Sequence, residues 1–314
     1  MFVSIVVPLY NEEENIMPLY NALKSAMDKS GRGYEILFVD DGSADKTPQM
    51  LKQIAQTDVN VRSLYFRRNF GQTAAFAAGF DHAKGDVIVT IDGDMQNDPA
   101  DIPKLLSMIG EYDIVSGWRR RRKDPFLTRR LPSMIANYLI SRVTGVKLHD
   151  YGCSLKAYRA DVVKNINLYG EMHRFIPAVA SWYGVKIAEA ETTHHSRQRG
   201  KSKYGISRTP KVLLDLITVK FLQSFSTKPI QAFGPIGLLC GLAGTVISLY
   251  LTILKLSGQT IGGRPLLLLG VLLIIVGIQL IGMGLLGEMM VRVYHESQRK
   301  PIYVLKGVEI EKSS

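Results

Sequence analysis

Cysteine is scarce in this sequence of 314 residues, which contains only Cys153 and Cys240. The two cysteines lie far apart in very different contexts, so neither a disulfide framework nor a zinc site is expected. The N-terminus also lacks the basic segment of a signal peptide, and its apolar run is short. We therefore expect a buried first strand and an N-terminal domain that stays in the cytosol.

Charge is absent from two long stretches, between Lys228 and Lys255 and between Arg264 and Glu288. Each exceeds the roughly 20 residues that an α-helix needs to cross a hydrocarbon core of about 30 Å. We predict two transmembrane helices, over residues 233–254 and 265–286; a buried hairpin in a soluble protein is the alternative. No strand precedes the glycines here, so they are expected to pack helices rather than bind a dinucleotide: Gly237, Gly241, Gly282, Gly284 and Gly287.

Positive charge is in excess, with a formal net charge of +11. Basic residues are concentrated in residues 197–228 and 292–312, whereas the loop 255–264 holds two. The positive-inside rule then places both termini in the cytoplasm, in an integral protein of the plasma (inner) membrane. The charge suits acidic partners such as anionic lipid or phosphorylated substrates. No basic patch with interleaved stacking aromatics is evident, so nucleic acid is not an expected partner.

Short apolar runs alternate with amphipathic stretches over residues 1–117, which predicts an α/β fold with a doubly wound, mostly parallel sheet. The predicted strands are residues 3–7, 35–39, 62–66, 87–91 and 114–116, with a further strand near 186–191. The predicted helices are residues 13–27, 46–56, 73–82 and 101–109. Residues 118–170 form a basic and less regular segment, and residues 209–227 either lie along the membrane surface or pack on the soluble domain.

Polar residues follow four of the predicted strands, in residues 8–12, 40–43, 67–72 and 92–96. Ligands bind at the carboxyl ends of the strands in such sheets, so we expect the four segments to gather at one edge. Ordinary turns are the alternative, because Asp, Asn, Gly and Ser dominate turns.

Asp92 and Asp94 follow a strongly apolar strand and are separated by one glycine. Two carboxylates with this spacing can approach one hard cation, and Mg²⁺ binds one or two carboxylates together with substrate phosphates. Gln96 is well placed to add a neutral oxygen. The sequence therefore predicts a metal site, formed by these three residues, that neutralises a diphosphate leaving group.

Five segments together resemble the family 2 glycosyltransferases of the GT-A fold: residues 6–12, 39–43, 92–96, 150–159 and 200–204. With two C-terminal spans, the pattern is similar to the polyisoprenyl-phosphate glycosyltransferases, which are related to dolichol-phosphate mannose synthase. Bacterial undecaprenyl-phosphate glucosyltransferases look most similar. The resemblance implies an inverting hexosyl transfer that depends on Mg²⁺ or Mn²⁺. The donor would be a nucleotide sugar, UDP-glucose first, and the acceptor a polyprenyl phosphate at the cytosolic face of the bilayer.

The resemblance also implies which residues bind each substrate. Those implied for the nucleotide sugar are Pro8, Tyr10, Glu12, Asp40 or Asp41, Asp92, Arg197 and Lys203. Those implied for the acceptor phosphate are Arg119, Arg129 and Ser133. For the segment with Arg197 and Lys203, a solvated basic linker or a lipid-headgroup contact is the alternative.

Asp94 and Asp150 are the candidate catalytic residues. Many family 2 enzymes have a Glu-Asp pair where this chain has His149-Asp150. A hydroxyl acceptor needs a general base, whereas a phosphate monoester has a second pKa of about 6 and is largely ionised at pH 7. Asp150 would therefore either abstract a proton or orient groups, and both roles stay open here. We expect Asp150→Asn to lose less activity than Asp94→Asn.

Four regions are expected along the chain. They are a catalytic domain over residues 1–205, an amphipathic segment over 206–230, a two-helix transmembrane domain over 231–290 and a cytosolic tail over 291–314. Neither tryptophan follows an arginine, so the Gln-x-x-Arg-Trp motif of processive synthases in this family is absent. The alternatives are another nucleotide sugar such as GDP-mannose or a modified UDP-sugar, another acceptor, or a non-catalytic membrane adaptor. The sequence leaves open whether the chain forms a homo-oligomer.

Overall fold

The computed structural model describes residues 1–120, 131–164, 166, 168, 172–181, 184–196, 230–261, 265–297 and 305–309. The chain divides into two compact units: Met1–Lys220 together with Pro301–Ser314, and Phe221–Lys300. Residues 301–314 of the predicted tail thus belong to the same unit as the N-terminal part of the chain, whereas residues 291–300 belong to the second unit. The predicted amphipathic stretch 209–227 lies outside the described residues.

Strands and helices alternate through the first unit. The strands β1 to β8 are Val3–Leu9, Tyr34–Asp40, Val61–Phe66, Val87–Thr90, Ile114–Trp118, Lys156–Arg159, Ile187–Glu191 and Leu305–Glu309. The helices α1 to α7 are Ile16–Ser30, Thr47–Thr57, Gln72–His82, Ile102–Met108, Leu131–Thr144, Ala160–Val163 and Ile176–Ala180. All of the predicted strands and helices of this unit are confirmed, whereas α5 lies in the segment that was expected to be less regular.

Within the described residues, the eight strands form one mixed sheet in the order β7-β5-β6-β4-β1-β2-β3-β8. β1 pairs in parallel with both β2 and β4, and β3 pairs in parallel with β2. β6 runs antiparallel between β4 and β5, and β8 runs antiparallel along β3. The prediction of a mostly parallel sheet is confirmed, but the sequence pattern does not predict β6 or β8.

Helices cover both faces of the sheet because successive side chains of a strand point to opposite faces. In β1, Ile5 and Val7 belong to the apolar core formed with α1, α2 and α4. Val6, between them, belongs to the core formed with α3 and α7. With both faces covered, the strand ends are the places where polar residues of the sheet can meet a ligand.

A buried polar cluster closes the amino-end edge of the sheet, where β1, β2 and β3 begin. The Glu35 carboxylate accepts hydrogen bonds from Ser4 Oγ (2.6 Å), the Lys84 N–H (2.7 Å) and Arg62 Nη1 (2.8 Å). Burial by itself would raise the pKa of Glu35, but these donors together hold it below its usual value. The cluster therefore stabilises the fold with a charged pair that lies far along the strands from the carboxyl ends.

We expect Glu35→Ala to lower the free energy of unfolding by about 3–5 kcal/mol, because the buried Arg62 guanidinium loses its partner. The Glu35 contribution is present at neutral pH and is lost as the pH falls below about 4, since the folded state binds this proton more weakly than the unfolded chain. Thermal unfolding of both proteins at pH 7 and at about pH 3 measures the difference. The exposed Glu111→Ala is the control, and an equal loss in the two variants would contradict the assignment.

The second unit contains two long apolar helices, α8 (Ile230–Leu256) and α9 (Pro265–Ser297). Both are long and apolar enough to cross a membrane by length and composition. A Cβ at Gly277 would lie 2.6 Å from the Gly237 carbonyl oxygen and 2.8 Å from the Gly241 nitrogen, so the helices pack through glycines here. Nothing lies within 4 Å of a Cβ at Gly282. The predicted glycine packing is thus confirmed for Gly237, whose own Cβ would lie 2.7 Å from the Gly277 carbonyl oxygen, whereas a Cβ at Gly241 or Gly282 would meet nothing within 4 Å among the described residues.

We expect Gly277→Val to destabilise the pair of helices, because its branched side chain would overlap the backbone of α8. Overpacking of this kind costs about 1–3 kcal/mol. Gly282→Val is the matched control, since its side chain would enter open space. Thermal unfolding of the purified protein in detergent compares the two, and equal melting temperatures would count against the close contact at Gly277.

Candidate active site

Hydrogen bonds join the loops that follow β1 and β2. The Asn11 N–H donates to Ser43 Oγ (2.8 Å), and the Ala44 N–H donates to Asn11 Oδ1 (2.8 Å). Asn11 has a left-handed φ of 50°, a conformation that asparagine adopts more readily than most residues. The segments 8–12 and 40–43 therefore meet at the carboxyl ends of their strands.

Asp41 links the next segment, 67–72, to the loop after β2 through hydrogen bonds. Its carboxylate accepts hydrogen bonds from the N–H groups of Phe70 (2.7 Å) and Gly71 (2.9 Å). Burial raises the pKa of Asp41 to about 6; the two N–H groups oppose this increase, and the neighbouring Asp40 adds to it. Asp41 thus has a structural part in shaping the edge, beside the nucleotide contact that was predicted for it or for Asp40.

Gln72 connects the same segment to the end of β4. Its side-chain amide donates to Asp92 Oδ1 (2.5 Å). The Asp92 N–H donates to Ser154 Oγ (3.2 Å), which also accepts a hydrogen bond from Asn97 Nδ2 (2.9 Å). All four strand-end segments gather at one edge of the sheet, as predicted.

The two aspartates at this edge are brought together by a tight turn. A Cβ at Gly93 would collide with the Leu9 side chain, so a residue with a side chain between them would have to displace the end of β1. Asp94 Oδ1 accepts a hydrogen bond from the Gln96 N–H (3.1 Å), and Met95 between these residues has a φ of 60°. The turn is thus narrow, and it holds the Asp94 carboxylate at the strand end.

Cations from three separate elements partly offset the cost of burying the charge of Asp92. Burial raises the pKa of Asp92, while its hydrogen bond with Ser154 and the charges of Arg119, Lys156 and Arg174 act in the opposite direction. Lys156 is itself buried, which lowers its pKa, and its ammonium donates to the carbonyls of Tyr151 and Cys153. Neither Lys156 nor Arg174 was among the predicted site residues.

A buried ion pair lies beside this cluster. The Asp150 carboxylate binds the Arg119 guanidinium through Nε (2.7 Å) and Nη2 (2.9 Å) and accepts the Arg119 N–H at 3.3 Å. The side chains are 11% and 3% exposed for Arg119 and Asp150. Burial would lower the pKa of Arg119, but the Asp150 carboxylate outweighs that effect and raises it. The structure therefore brings together a predicted acceptor residue and a predicted catalytic residue.

The residues present fit a divalent metal that is shared with a phosphorylated ligand. Within the described part of the chain, no group of three or more His, Cys, Asp or Glu side chains forms a complete metal site. Asp92 and Asp94 nevertheless supply the two carboxylates that Mg²⁺ combines with substrate phosphates. Burial disfavours the charge of Asp92, so a bound cation would favour its ionised form.

Four other predicted site residues lie among the described residues. Pro8 pairs with Val39 of β2 and lies beyond Val6, the last residue of β1 that pairs with β4. Glu12 is buried and accepts a hydrogen bond from Asn15 Nδ2 (2.6 Å). Tyr10 is half-buried in the loop after β1, and Ser133 is half-buried in α5. The remaining predicted residues lie outside the described residues: Arg129, Arg197 and Lys203.

Comparison with known proteins decides the family. Residues 4–166 match the domain described as glycosyl transferase family 2. The chain belongs to glycosyl transferase family 2. This glycosyltransferase is 46% identical to a dodecaprenyl-phosphate galacturonate synthase of Rhizobium johnstonii, over 97% of this chain and 92% of that protein. It is 37% identical to an undecaprenyl-phosphate 4-deoxy-4-formamido-L-arabinose transferase of Edwardsiella ictaluri, over 98% and 94% of the two chains.

Solved structures confirm the predicted GT-A-like fold of this glycosyltransferase. A glucosyl-3-phosphoglycerate synthase of Mycobacterium tuberculosis, crystallised with Mn²⁺, UDP and its product, superimposes with a TM-score of 0.56 and 16% identity. The match covers 71% of this chain and 79% of that one. The same enzyme with Mn²⁺ and UDP-glucose gives a TM-score of 0.55 and 18% identity, over 71% and 78% of the chains. Identity at this level supports the fold alone.

We expect the raised pKa of Asp41 to make the thermal stability of the glycosyltransferase depend on pH. The folded state binds the proton of the Asp41 carboxyl more tightly than the unfolded chain does. The stability that this proton contributes is therefore fully present below about pH 4 and is lost as the pH rises through 6. The shift corresponds to about 3 kcal/mol at most. Asp41→Asn removes the titration, and the wild type should therefore lose more thermal stability than the variant between pH 4.5 and pH 7. Parallel curves for the two proteins would contradict the assignment.

Proposed function

We propose that this glycosyltransferase moves a sugar from a nucleoside diphosphate to the phosphate of a polyprenyl phosphate. The observation that carries the proposal is the edge where Asp92 and Asp94 lie beside the buried Arg119–Asp150 pair. One part of this edge suits a metal-bound diphosphate, and the other suits a second phosphate. Two relatives, 46% and 37% identical over almost the whole chain, have names that specify polyprenyl-phosphate acceptors.

The donor half of the proposal rests on the strand ends. Asp92 and Asp94, with Gln96, would hold Mg²⁺ or Mn²⁺, and the metal would stabilise the negative charge of the departing diphosphate. Pro8, Tyr10, Glu12 and Asp40 or Asp41 would line the nucleotide pocket, with Arg197 and Lys203 over the phosphates. A solved structure of the same fold contains Mn²⁺ and UDP-glucose, which supports a divalent metal for this half of the site.

The acceptor half rests on the arginine of the buried pair. Arginine recognises phosphate through its planar fork of donors, and we assign Arg119, with Arg129 and Ser133, to the acceptor phosphate. The nucleophile would be a phosphate oxygen that attacks the anomeric carbon with inversion. A phosphate monoester with a second pKa of about 6 needs no base at pH 7. Because Asp150 already binds Arg119 through both carboxylate oxygens, we assign Asp150 an orienting role.

The sugar is the part of the proposal on which the comparisons bear most directly. The name of one relative specifies galacturonate, and that of the other specifies 4-deoxy-4-formamido-L-arabinose. Glucose, expected from the sequence resemblance, is the sugar of neither. We therefore place a nucleotide-activated galacturonate first among the donors to test, followed by the formamido-arabinose donor and UDP-glucose.

The membrane location follows from the second unit and the acceptor together. α8 and α9 are long and apolar enough to span a bilayer, and a polyprenyl phosphate is confined to one. We propose an integral protein of the inner membrane with the catalytic domain and both termini on the cytoplasmic side, as the distribution of basic residues predicts.

The proposal is tested by incubating membranes that contain the full-length protein with labelled nucleotide sugars and undecaprenyl phosphate, with and without EDTA. We expect one donor to label the lipid, and EDTA to abolish the labelling. Asp94→Asn should lose about 10²–10³-fold in kcat because it removes charge stabilisation of the leaving diphosphate. Asp150→Asn should lose about 10–100-fold, the usual effect of removing an orienting partner.

Three results would each contradict one part of the proposal. Turnover that survives complete removal of divalent metal would refute the assignment of Asp92 and Asp94. An absence of sugar on extracted polyprenyl phosphate, with donor consumed, would refute the acceptor. Equal and complete loss in Asp94→Asn and Asp150→Asn, with melting temperatures unchanged, would refute the orienting role of Asp150.

A further inference from the structure

β7 presents two carboxylates, Glu189 and Glu191, on the same face of the strand because they are two residues apart. The two contact different partners. Glu191 Oε1 accepts a hydrogen bond from Arg120 Nη1 (2.6 Å), and these side chains are 49% and 62% exposed. Glu189 is 13% exposed and contacts the turn that carries His149 and Asp150.

Glu189 holds this turn at three points. Its Oε1 accepts hydrogen bonds from the N–H groups of His149 (2.8 Å) and Asp150 (3.3 Å), and its Oε2 is 2.7 Å from His149 Nδ1. The Trp118 ring stacks on the His149 ring at a centroid distance of 4.4 Å. A side chain from β7 and a ring from β5 thus fix the backbone of the turn from two sides.

The turn determines where the Arg119 guanidinium lies. Arg119 is held by the Asp150 carboxylate through two parallel hydrogen bonds, a geometry in which the plane of the guanidinium follows the plane of the carboxylate. Any shift of the Asp150 backbone therefore moves the guanidinium. Because Arg119 and Asp150 are both nearly buried, few other orientations are accessible to the pair.

We infer that Glu189 is a positioning residue for the acceptor phosphate. It fixes the backbone of Asp150, and Asp150 in turn holds Arg119 in the orientation that receives the phosphate. The inference rests on the proposed function, which assigns Arg119 to the polyprenyl phosphate. No short motif marks Glu189, since it lies 39 residues from Asp150 in the sequence and reaches it through the pairing of β5 with β7.

The experiment uses the full-length protein with the labelled donor and undecaprenyl phosphate, and it compares Glu189→Ala, Glu189→Gln and Glu191→Ala. For Glu189→Ala we expect the KM for undecaprenyl phosphate to rise about tenfold or more, with the KM for the nucleotide sugar within about twofold of the wild type. Glutamine keeps a carbonyl oxygen for the two N–H groups, so Glu189→Gln should stay within about threefold. Glu191→Ala, the matched control, removes an exposed ion pair and should behave as the wild type.

The split between the two KM values separates positioning from a general structural role. Melting temperatures are measured for each variant, and if Glu189→Ala does not fold, Glu189→Asp withdraws the carboxylate by one methylene and should show the same rise in acceptor KM. An unchanged acceptor KM in the folded variants would overturn the inference, as would an equal rise in both KM values. If the wild type itself transfers no sugar to undecaprenyl phosphate, the proposed function fails instead.

Discussion

The carboxylate of Asp92 lies where burial disfavours its charge, and the elements around it are arranged to offset that effect. Arg119 comes from the end of β5, Lys156 from β6 and Arg174 from the turn before α7. These elements are far apart in the sequence, so the charge balance at the strand end exists only when the whole sheet and its covering helices are assembled.

The polar groups at the two edges of the sheet are arranged differently. At the amino-end edge, Glu35, Arg62 and Ser4 bind one another and the backbone, so the cluster is closed and contributes to stability. At the carboxyl-end edge, the hydrogen bonds run between loops, as from Gln72 to Asp92, and they shape a surface rather than fill a core. Buried charged pairs are compatible with both arrangements because each charge has directed partners.

The local sequence pattern was sufficient to predict the strands that consist of apolar runs, and the sheet edge at which the ends of these strands gather. It was not sufficient for β6, because Lys156 and Arg159 bracket only two uncharged residues, and the buried ammonium is satisfied by carbonyls that only the folded turn provides. Arg119 pairs with Asp150 across 31 residues of sequence, a contact that no spacing rule encodes. Sugar selectivity depends on pocket shape, which no motif encodes. The resemblance therefore pointed to glucose, whereas the names of two relatives specify other sugars.

The position of β8 has a consequence for biosynthesis. β8 covers the free side of β3, yet it lies after both apolar helices in the chain, at Leu305–Glu309. A ribosome therefore completes α8 and α9 before the last strand of the catalytic sheet emerges. Until then β3 presents an unpaired edge, the kind of surface on which strands of other chains add.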